Sequence, residues 1–152
     1  MEIDRKQGVE SEAALLVGVY LNDQRLAEDP LEELAGLVET AGARVVGLMP
    51  QRRERPDKTT YLGKGKLDQL QKLVESTEAD VVIFDNDLTP AQTRNLERAV
   101  DIKVLDRTEL ILDIFASNAQ TYESRLSVEL AQLEYSLPRL KHIVYHDYQN
   151  QA

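Results

Sequence analysis

The chain has no cysteine and no tryptophan, and aromatics make up only 5% of its 152 residues. Without cysteine there are no disulfides, thiolate metal sites or cysteine nucleophiles. That absence fits a reducing compartment. With so few aromatics, the core must be built from Leu, Val, Ile and Ala. Positive charge is also scarce: 18 Lys and Arg stand against 27 Asp and Glu, for a formal net charge of −9. A general nucleic-acid binder normally carries the opposite balance, so any nucleic-acid contact must be local; DNA is not an expected partner. Long apolar runs are missing too. Ala13–Leu21 is far too short to span a bilayer, and Met1–Glu12 has no apolar stretch of the signal-peptide kind. The expectation is a cytoplasmic protein without a membrane partner. The 42% of hydrophobic residues suffices for a real core and is too many for a disordered acidic tail.

Those residues alternate between two patterns. Ala13–Leu21, Ala43–Met49, Asp80–Phe84 and Ile102–Leu105 read as buried strands, the second stopped by Pro50. Between them lie helical stripes: Leu31, Leu34, Leu37, Val38 and Ala41; then Leu67, Leu70, Leu73 and Val74; then Leu96, Ala99 and Val100. Asp29 and Pro30 mark the first helix start and Gly42 its end, Lys66–Ser76 is the second helix, and Thr89-Pro90 opens the third. Strands and helices alternating at this spacing predict a small parallel-sheet α/β layer over residues 1–107.

After Asp106 the period becomes helical throughout. Leu126, Leu130, Leu133, Leu137, Leu140 and Val144 alternate steps of four and three, which is a heptad a/d seam. Residues 108–152 therefore read as a long, coiled-coil-like arm, kinked or ended by Pro138 near Ser136–Leu137, with a frayed tail over Tyr145–Ala152. Such a seam must bury itself, on the α/β layer or against a partner helix. Self-association as a homodimer through Leu126, Leu130, Leu133, Leu137 and Leu140 is the expectation.

Catalytic patterns are few. His142 and His146 sit one helical turn apart beside Asp147, a spacing open to a metal but lacking the general base of HExxH. Asp85 and Asp87 follow the third strand, where capping of the next helix competes with a Mg²⁺ role. Arg52, Arg53, Arg55, Lys58, Lys64 and Lys66 concentrate positive charge, offset only by Glu54 and Asp57. Gly63 and Gly65 follow an extended segment, Thr59–Leu62, and open a helix whose N–H groups and dipole favour an anion. Leu67 stands where a Walker A motif would have Ser or Thr. Two occupants stay open: an RNA phosphate, or a nucleotide such as ATP with Mg²⁺. So does a solvated basic loop with no ligand.

Four motifs in order resemble the N-terminal domain of HflX-type GTPases: Tyr61-Leu62-Gly63-Lys64-Gly65-Lys66, Leu88-Thr89-Pro90-Ala91-Gln92-Thr93-Arg94-Asn95-Leu96-Glu97, Asp106–Ala116, and Leu126–Leu133 with Leu137-Pro138-Arg139-Leu140. The resemblance runs from about Leu15 to Leu140. It implies a ribosome-associated protein acting on the large subunit, with a helical arm after the α/β layer, and in some members ATP binding. It also implies, after Leu140, a glycine-rich loop, a returning arm helix and a G domain; Lys141–Ala152 matches none of these. GTPase activity is therefore not carried over. The expected function is a non-catalytic, ribosome- or RNA-associated binding module, with a weak ATPase at Gly63–Lys66 as the alternative.

Overall fold

In the computed structural model, residues 8–21, 28–53, 55–118 and 122–151 are described, with side chains up to Arg139. Four parallel strands, β1 (Ala13–Leu21), β2 (Arg44–Arg53), β3 (Val81–Phe84) and β4 (Lys103–Leu105), form one sheet in the order β2-β1-β3-β4. Helices α1 (Glu32–Thr40), α2 (Lys64–Thr77), α3 (Pro90–Val100) and α4 (Arg107–Asn118) cross between or follow them, and α5 (Tyr122–Gln151) completes the chain. The α/β class and the C-terminal helix are as the sequence predicts.

The topology sorts the helices by face. Leu70 and Val74 of α2 and Leu96 and Val100 of α3 pack with Leu15, Val17, Val82, Phe84 and Val104. Leu34 and Val38 of α1 and Leu110 of α4 pack with Leu16, Val81, Ile83 and Leu105 on the other side. Alternate residues of β1 thus feed both cores, which is why Ala13–Tyr20 is buried at every position. The strand order reverses between β1 and β3, the point where open α/β sheets usually take a ligand. Here Asn86, just beyond β3, is tied to β1. The Asn86 carboxamide accepts from the Val19 N–H at 2.9 Å and donates to the Val19 carbonyl at 2.8 Å.

Several boundaries differ from the sequence reading, three of them instructively. Pro50 does not stop β2, which runs on to Arg53. β2 is the sheet's edge, where a residue without an N–H costs no ladder bond. Asp29 does not cap α1 with its side chain; its carbonyl accepts from the Glu32 N–H at 3.1 Å, and buried Leu31 precedes the first turn. Pro138 neither ends nor interrupts α5, whose backbone stays helical to Gln151 through the tail expected to fray. Proline disturbs the carbonyls of the preceding turn, and here side chains supply donors around it. Arg139 Nη1 donates to the Tyr135 carbonyl at 2.7 Å, and Arg94 Nη1 to the Pro138 carbonyl at 3.3 Å. Thr89 caps α3 as expected, in a reciprocal capping box with Gln92.

The amino edge of the sheet carries a buried charge cluster. Lys103 Nζ pairs with Glu12 at 2.5 Å and donates to the Gly8 carbonyl at 2.9 Å. Asp113 lies beside it. Burial pushes its carboxyl above the ordinary value of 3.8, and the Val9 N–H and the Lys103 charge only partly offset that. An acid whose folded-state pKa is raised costs stability when ionised, so stability should fall as pH rises from about 3.8 through the folded value. Asp113→Asn keeps an acceptor for Val9 and removes the cost. Its melting temperature should exceed the parent's by a few degrees at pH 7 and match it below pH 4; equal melting temperatures at pH 7 would refute the assignment.

Candidate anion-binding site at the start of the second helix

The basic segment sits at the carboxyl edge of the sheet. Its first residues, Gln51, Arg52 and Arg53, belong to β2 rather than to a loop. The extended segment expected over Thr59–Leu62 is instead a tight turn. Asp57 and Tyr61 close it as an antiparallel bridge, with the Tyr61 N–H donating to the Asp57 carbonyl at 3.0 Å. Asp57 Oδ1 accepts from the N–H groups of Thr59 and Thr60 at 2.8 and 3.2 Å. Tyr61 takes a left-handed conformation, φ 67°, and its ring meets Phe84 edge-on, centroids 6.5 Å apart. Two side chains of α3 moor the turn: Gln92 donates to the Asp57 carbonyl and Asn95 to the Thr59 carbonyl, both at 3.0 Å. Leu62 then plugs the core, 1% exposed. The turn is therefore built into the layer, and it aims α2.

Helix α2 begins at Lys64, two residues earlier than the periodicity suggests, so Gly65 and Lys66 lie in its first turn. Gly63 is the N-cap and accepts no side-chain hydrogen bond, and no acidic residue stands in the first turn. A helix start normally has such an oxygen for its free N–H groups. Lys64, Gly65 and Lys66 are exposed, and a Cβ added at Gly65 would meet nothing within 4 Å. A glycine inside a helix costs roughly 1 kcal/mol relative to alanine, and no contact among the described residues requires this one. Gly63 is different, because a Cβ there would collide with the Arg53 guanidinium. The contact places Arg53 directly over the helix start. Gln51, on the same strand, is 8% exposed, and neither its carbonyl oxygen nor its amide nitrogen has a partner among the described residues.

The other expected cations are scattered around this centre. Arg52 reaches back to the Leu21 carbonyl at 3.5 Å, Lys66 Nζ contacts Gln69 Oε1 at 3.3 Å, and Arg55 and Lys58 are exposed on the turn. The structure thus brings Arg53, Gly63, Lys64, Gly65 and Lys66 to one helix end, with Arg52, Arg55 and Lys58 along the approach.

The carboxylates considered for Mg²⁺ are engaged. Asp85 accepts from Tyr20 Oη at 2.8 Å and pairs with Arg107 at 2.7 Å; Asp87 accepts from Thr108 Oγ1 at 2.7 Å. Burial and the neighbouring Asp85 carboxylate push the Tyr20 phenol well above its ordinary value, so it stays a donor. Among the described residues, no three His, Asp or Glu side chains come together as a metal cluster. The side chains of His142 and His146 lie outside the described residues.

Sequence reasoning missed a second polar centre, which holds the arm. Asp106 is fully buried at the end of β4. It accepts from the Leu88 N–H at 3.1 Å, from the Glu109 N–H at 3.0 Å as the cap of α4, and from the Tyr135 hydroxyl on α5. Arg139, 5% exposed, lies 3.5 Å from Asp106, donates to the Leu88 carbonyl at 2.7 Å, and covers the Tyr135 ring. The sequence offers Asp106 or Thr108 as the cap of the helix after β4, and Asp106 takes that role; its link to the arm had no signal beyond two polar residues, Tyr135 and Arg139, four apart on the side of α5 away from the leucines.

Those leucines do not fold back on the layer. Leu126, Leu130, Leu133 and Leu137 are 47–58% exposed, and among the described residues nothing covers them; the side chain of Leu140 lies outside the described residues. No described helix is long and apolar enough to cross a membrane.

Comparison with known proteins agrees with this layout. Residues 28–116 match the family model "GTP-binding GTPase N-terminal". GTPase HflX of Alkalihalophilus pseudofirmus is 50% identical over 130 residues, covering 85% of this chain and 31% of that protein. The Escherichia coli GTPase HflX is 44% identical over 129 residues, with 85% and 30% covered. A crystal structure of a GTP-binding protein from Sulfolobus solfataricus in complex with GDP superposes with a TM-score of 0.66 at 26% identity, over 92% of this chain and 42% of that one. The chain thus spans about a third of the length of the curated relatives it matches. With its central segment matching the family model and most of its length aligning with HflX proteins, the chain belongs to the GTP-binding GTPase N-terminal family, the N-terminal domain of HflX-type GTPases.

Proposed function

We propose that this domain is a non-catalytic RNA-binding module of the cytoplasm, which docks on ribosomal RNA of the large subunit by seating a backbone phosphate at the start of α2. The observation that carries the reading is the uncapped N-terminus of α2, free of acidic residues and flanked by Arg53, Lys64 and Lys66. Helix dipole, free N–H groups and three cations act together there on a single anion. In a chain of net charge −9, this concentration of cations is what an RNA backbone can approach. Gly65 leaves room for that approach. The stripe of α5 serves in this reading as a second contact, for another helix.

The test is a binding titration against ribosomal RNA fragments at several salt concentrations. Each neutralised single-strand phosphate contributes a slope of about −0.7 in log K against log salt; three to five contacts should give a slope of about −2 to −3.5. Gly63→Ala pushes the Arg53 guanidinium aside while leaving the helix intact. It should weaken RNA binding about tenfold with little change in melting temperature. ATP is the competing ligand for the same phosphate seat. A melting-temperature rise with ATP and Mg²⁺ that Lys66→Ala abolishes, without salt-dependent RNA binding, would replace this reading with the nucleotide one.

A further inference from the structure

Gln51 is a buried carboxamide with nothing to bind. Side chains alternate along β2, so Met49, Gln51 and Arg53 share one face. That face is the α2 side of the sheet: Met49 belongs to the core that holds Leu62 and Leu70, and the Arg53 guanidinium stands against Gly63 at the helix start. Gln51 lies between them, 8% exposed, with its donor and its acceptor both unpaired among the described residues. An apolar side chain would fill this place at less cost, because a buried polar group without a partner is unfavourable to folding. Arg53 is oddly placed as well. The positive end of a helix repels a cation, and α2 has neither a capping oxygen nor a first-turn acid to offset that. One ligand answers both: an anion between Arg53 and the free N–H groups, bearing a hydroxyl that reaches Gln51.

We propose that Gln51 reads the ribose 2′-hydroxyl beside the seated phosphate, so that the site takes RNA in preference to DNA. This rests on the reading that α2 seats an RNA phosphate. The hydroxyl suits the carboxamide, because it both donates and accepts; it is also the group by which a protein tells RNA from DNA at a given site. The spacing suits it too. In an RNA strand the carbon bearing the 2′-hydroxyl is bonded to the carbon that carries the 3′-phosphate. Positions 51 and 53 stand about 7 Å apart along one strand face. A phosphate drawn to Arg53 and α2 therefore brings its neighbouring hydroxyl toward Gln51. Arg53 is the next side chain outward on that face, so its turn from Gly63 to the phosphate opens the way in. A nucleoside 5′-triphosphate lacks this arrangement, since its phosphates hang from the 5′ carbon and its 3′ oxygen carries none.

The test compares a short single-stranded oligouridylate with its 2′-deoxy and 2′-O-methyl counterparts, which share base and phosphates, by fluorescence anisotropy at one low salt concentration. The parent should bind the ribo-oligomer about five- to tenfold more tightly than the deoxy one, the worth of one net hydrogen bond. The 2′-O-methyl oligomer, with no proton to donate and added bulk, should bind no better than the deoxy one. These three titrations use the parent alone, so they stand whether or not a variant folds. Gln51→Met keeps the volume and drops both polar atoms. It should bring the ribo-to-deoxy ratio to about one and raise the melting temperature by a few degrees, because the unpaired carboxamide is gone. A preference that survives in Gln51→Met would overturn the inference, as would a melting temperature below the parent's, which would mean that the carboxamide is already paired in the free protein. A parent that binds both oligomers equally, or that binds ribosomal RNA fragments but neither oligomer, would also overturn it while leaving the phosphate seat in place. If no RNA binds at all, the phosphate-seat reading fails and this one with it.

Discussion

Asp106→Ala should lower stability by about 3–5 kcal/mol, the usual cost of removing one member of a buried charged network. At about 2–4 °C per kcal/mol for a chain of this size, the melting temperature should fall by roughly 10 °C. The carboxylate holds four donors at once: two backbone N–H groups, the Tyr135 hydroxyl and the Arg139 guanidinium. Removing it leaves the guanidinium, 5% exposed, with Glu109 at 3.5 Å as its remaining carboxylate partner. The damage should be directional, since β4, α4 and α5 meet there. Hydrogen exchange should rise first in the part of α5 around Tyr135, before the strands open. Asp106→Asn separates charge from geometry. It can still accept from Glu109, but its NH₂ group would face another donor at Leu88 or Tyr135, so rescue should be partial. Melting temperatures within 2 °C of the parent for both variants would show that the latch contributes little.

Reversing Arg53, Lys64 and Lys66 to Glu should abolish measurable RNA binding while raising the melting temperature. The two effects have opposite signs because one helix end serves both. A carboxylate in the first turn of α2 interacts favourably with the dipole, about 0.3–1 kcal/mol each at an exposed position, and the native cations there are unfavourable to folding. For a phosphate the order inverts. Three reversals replace three attractions with three repulsions, and at about 1 kcal/mol per close pair in water the total change approaches 6 kcal/mol, beyond 10³-fold. Circular dichroism melts and filter binding on the same preparation measure both. A variant that melts higher and still binds RNA would remove the helix start from the interface. One that melts lower would mean the cations have folding roles that their exposure does not suggest.

Much of the layer was legible because its signals are local. A buried parallel strand reads as a continuous apolar run and a covering helix as a 3.6-residue stripe, so β1, β3, α1, α2 and α3 could be placed from Ala13–Leu21, Asp80–Phe84 and the leucine spacings. Proline misled the reading twice. At Pro50 the strand is an edge, where the missing N–H costs no ladder bond; at Pro138 the helix continues, with Arg139 and Arg94 donating to the neighbouring Tyr135 and Pro138 carbonyls. The glycine-lysine segment drew attention as a candidate phosphate seat, but its geometry was not legible. The Asp57 turn and its moorings to Gln92 and Asn95 join residues 35 or 36 apart in sequence. The Asp106 latch was invisible for the same reason, since it is made of single polar residues 29 and 33 positions apart (106 to 135 and 106 to 139). Periodicity drew attention to the leucine side of α5, and the opposite side does the holding.

Among the described residues the outer edge of β2 is open, which has a further consequence. Ten residues of extended chain at a sheet margin offer a template for strand addition by unfolded or neighbouring molecules, and Leu48 stands exposed there. Pro50 interrupts that template from within, and exposed Arg44 and Arg52 near its two ends add like charge that discourages stacking of copies. The proline that looked like a stop signal is better understood as a gatekeeper, which lets the strand be long enough to carry Arg53 to the helix start without making the sheet a seed for aggregation.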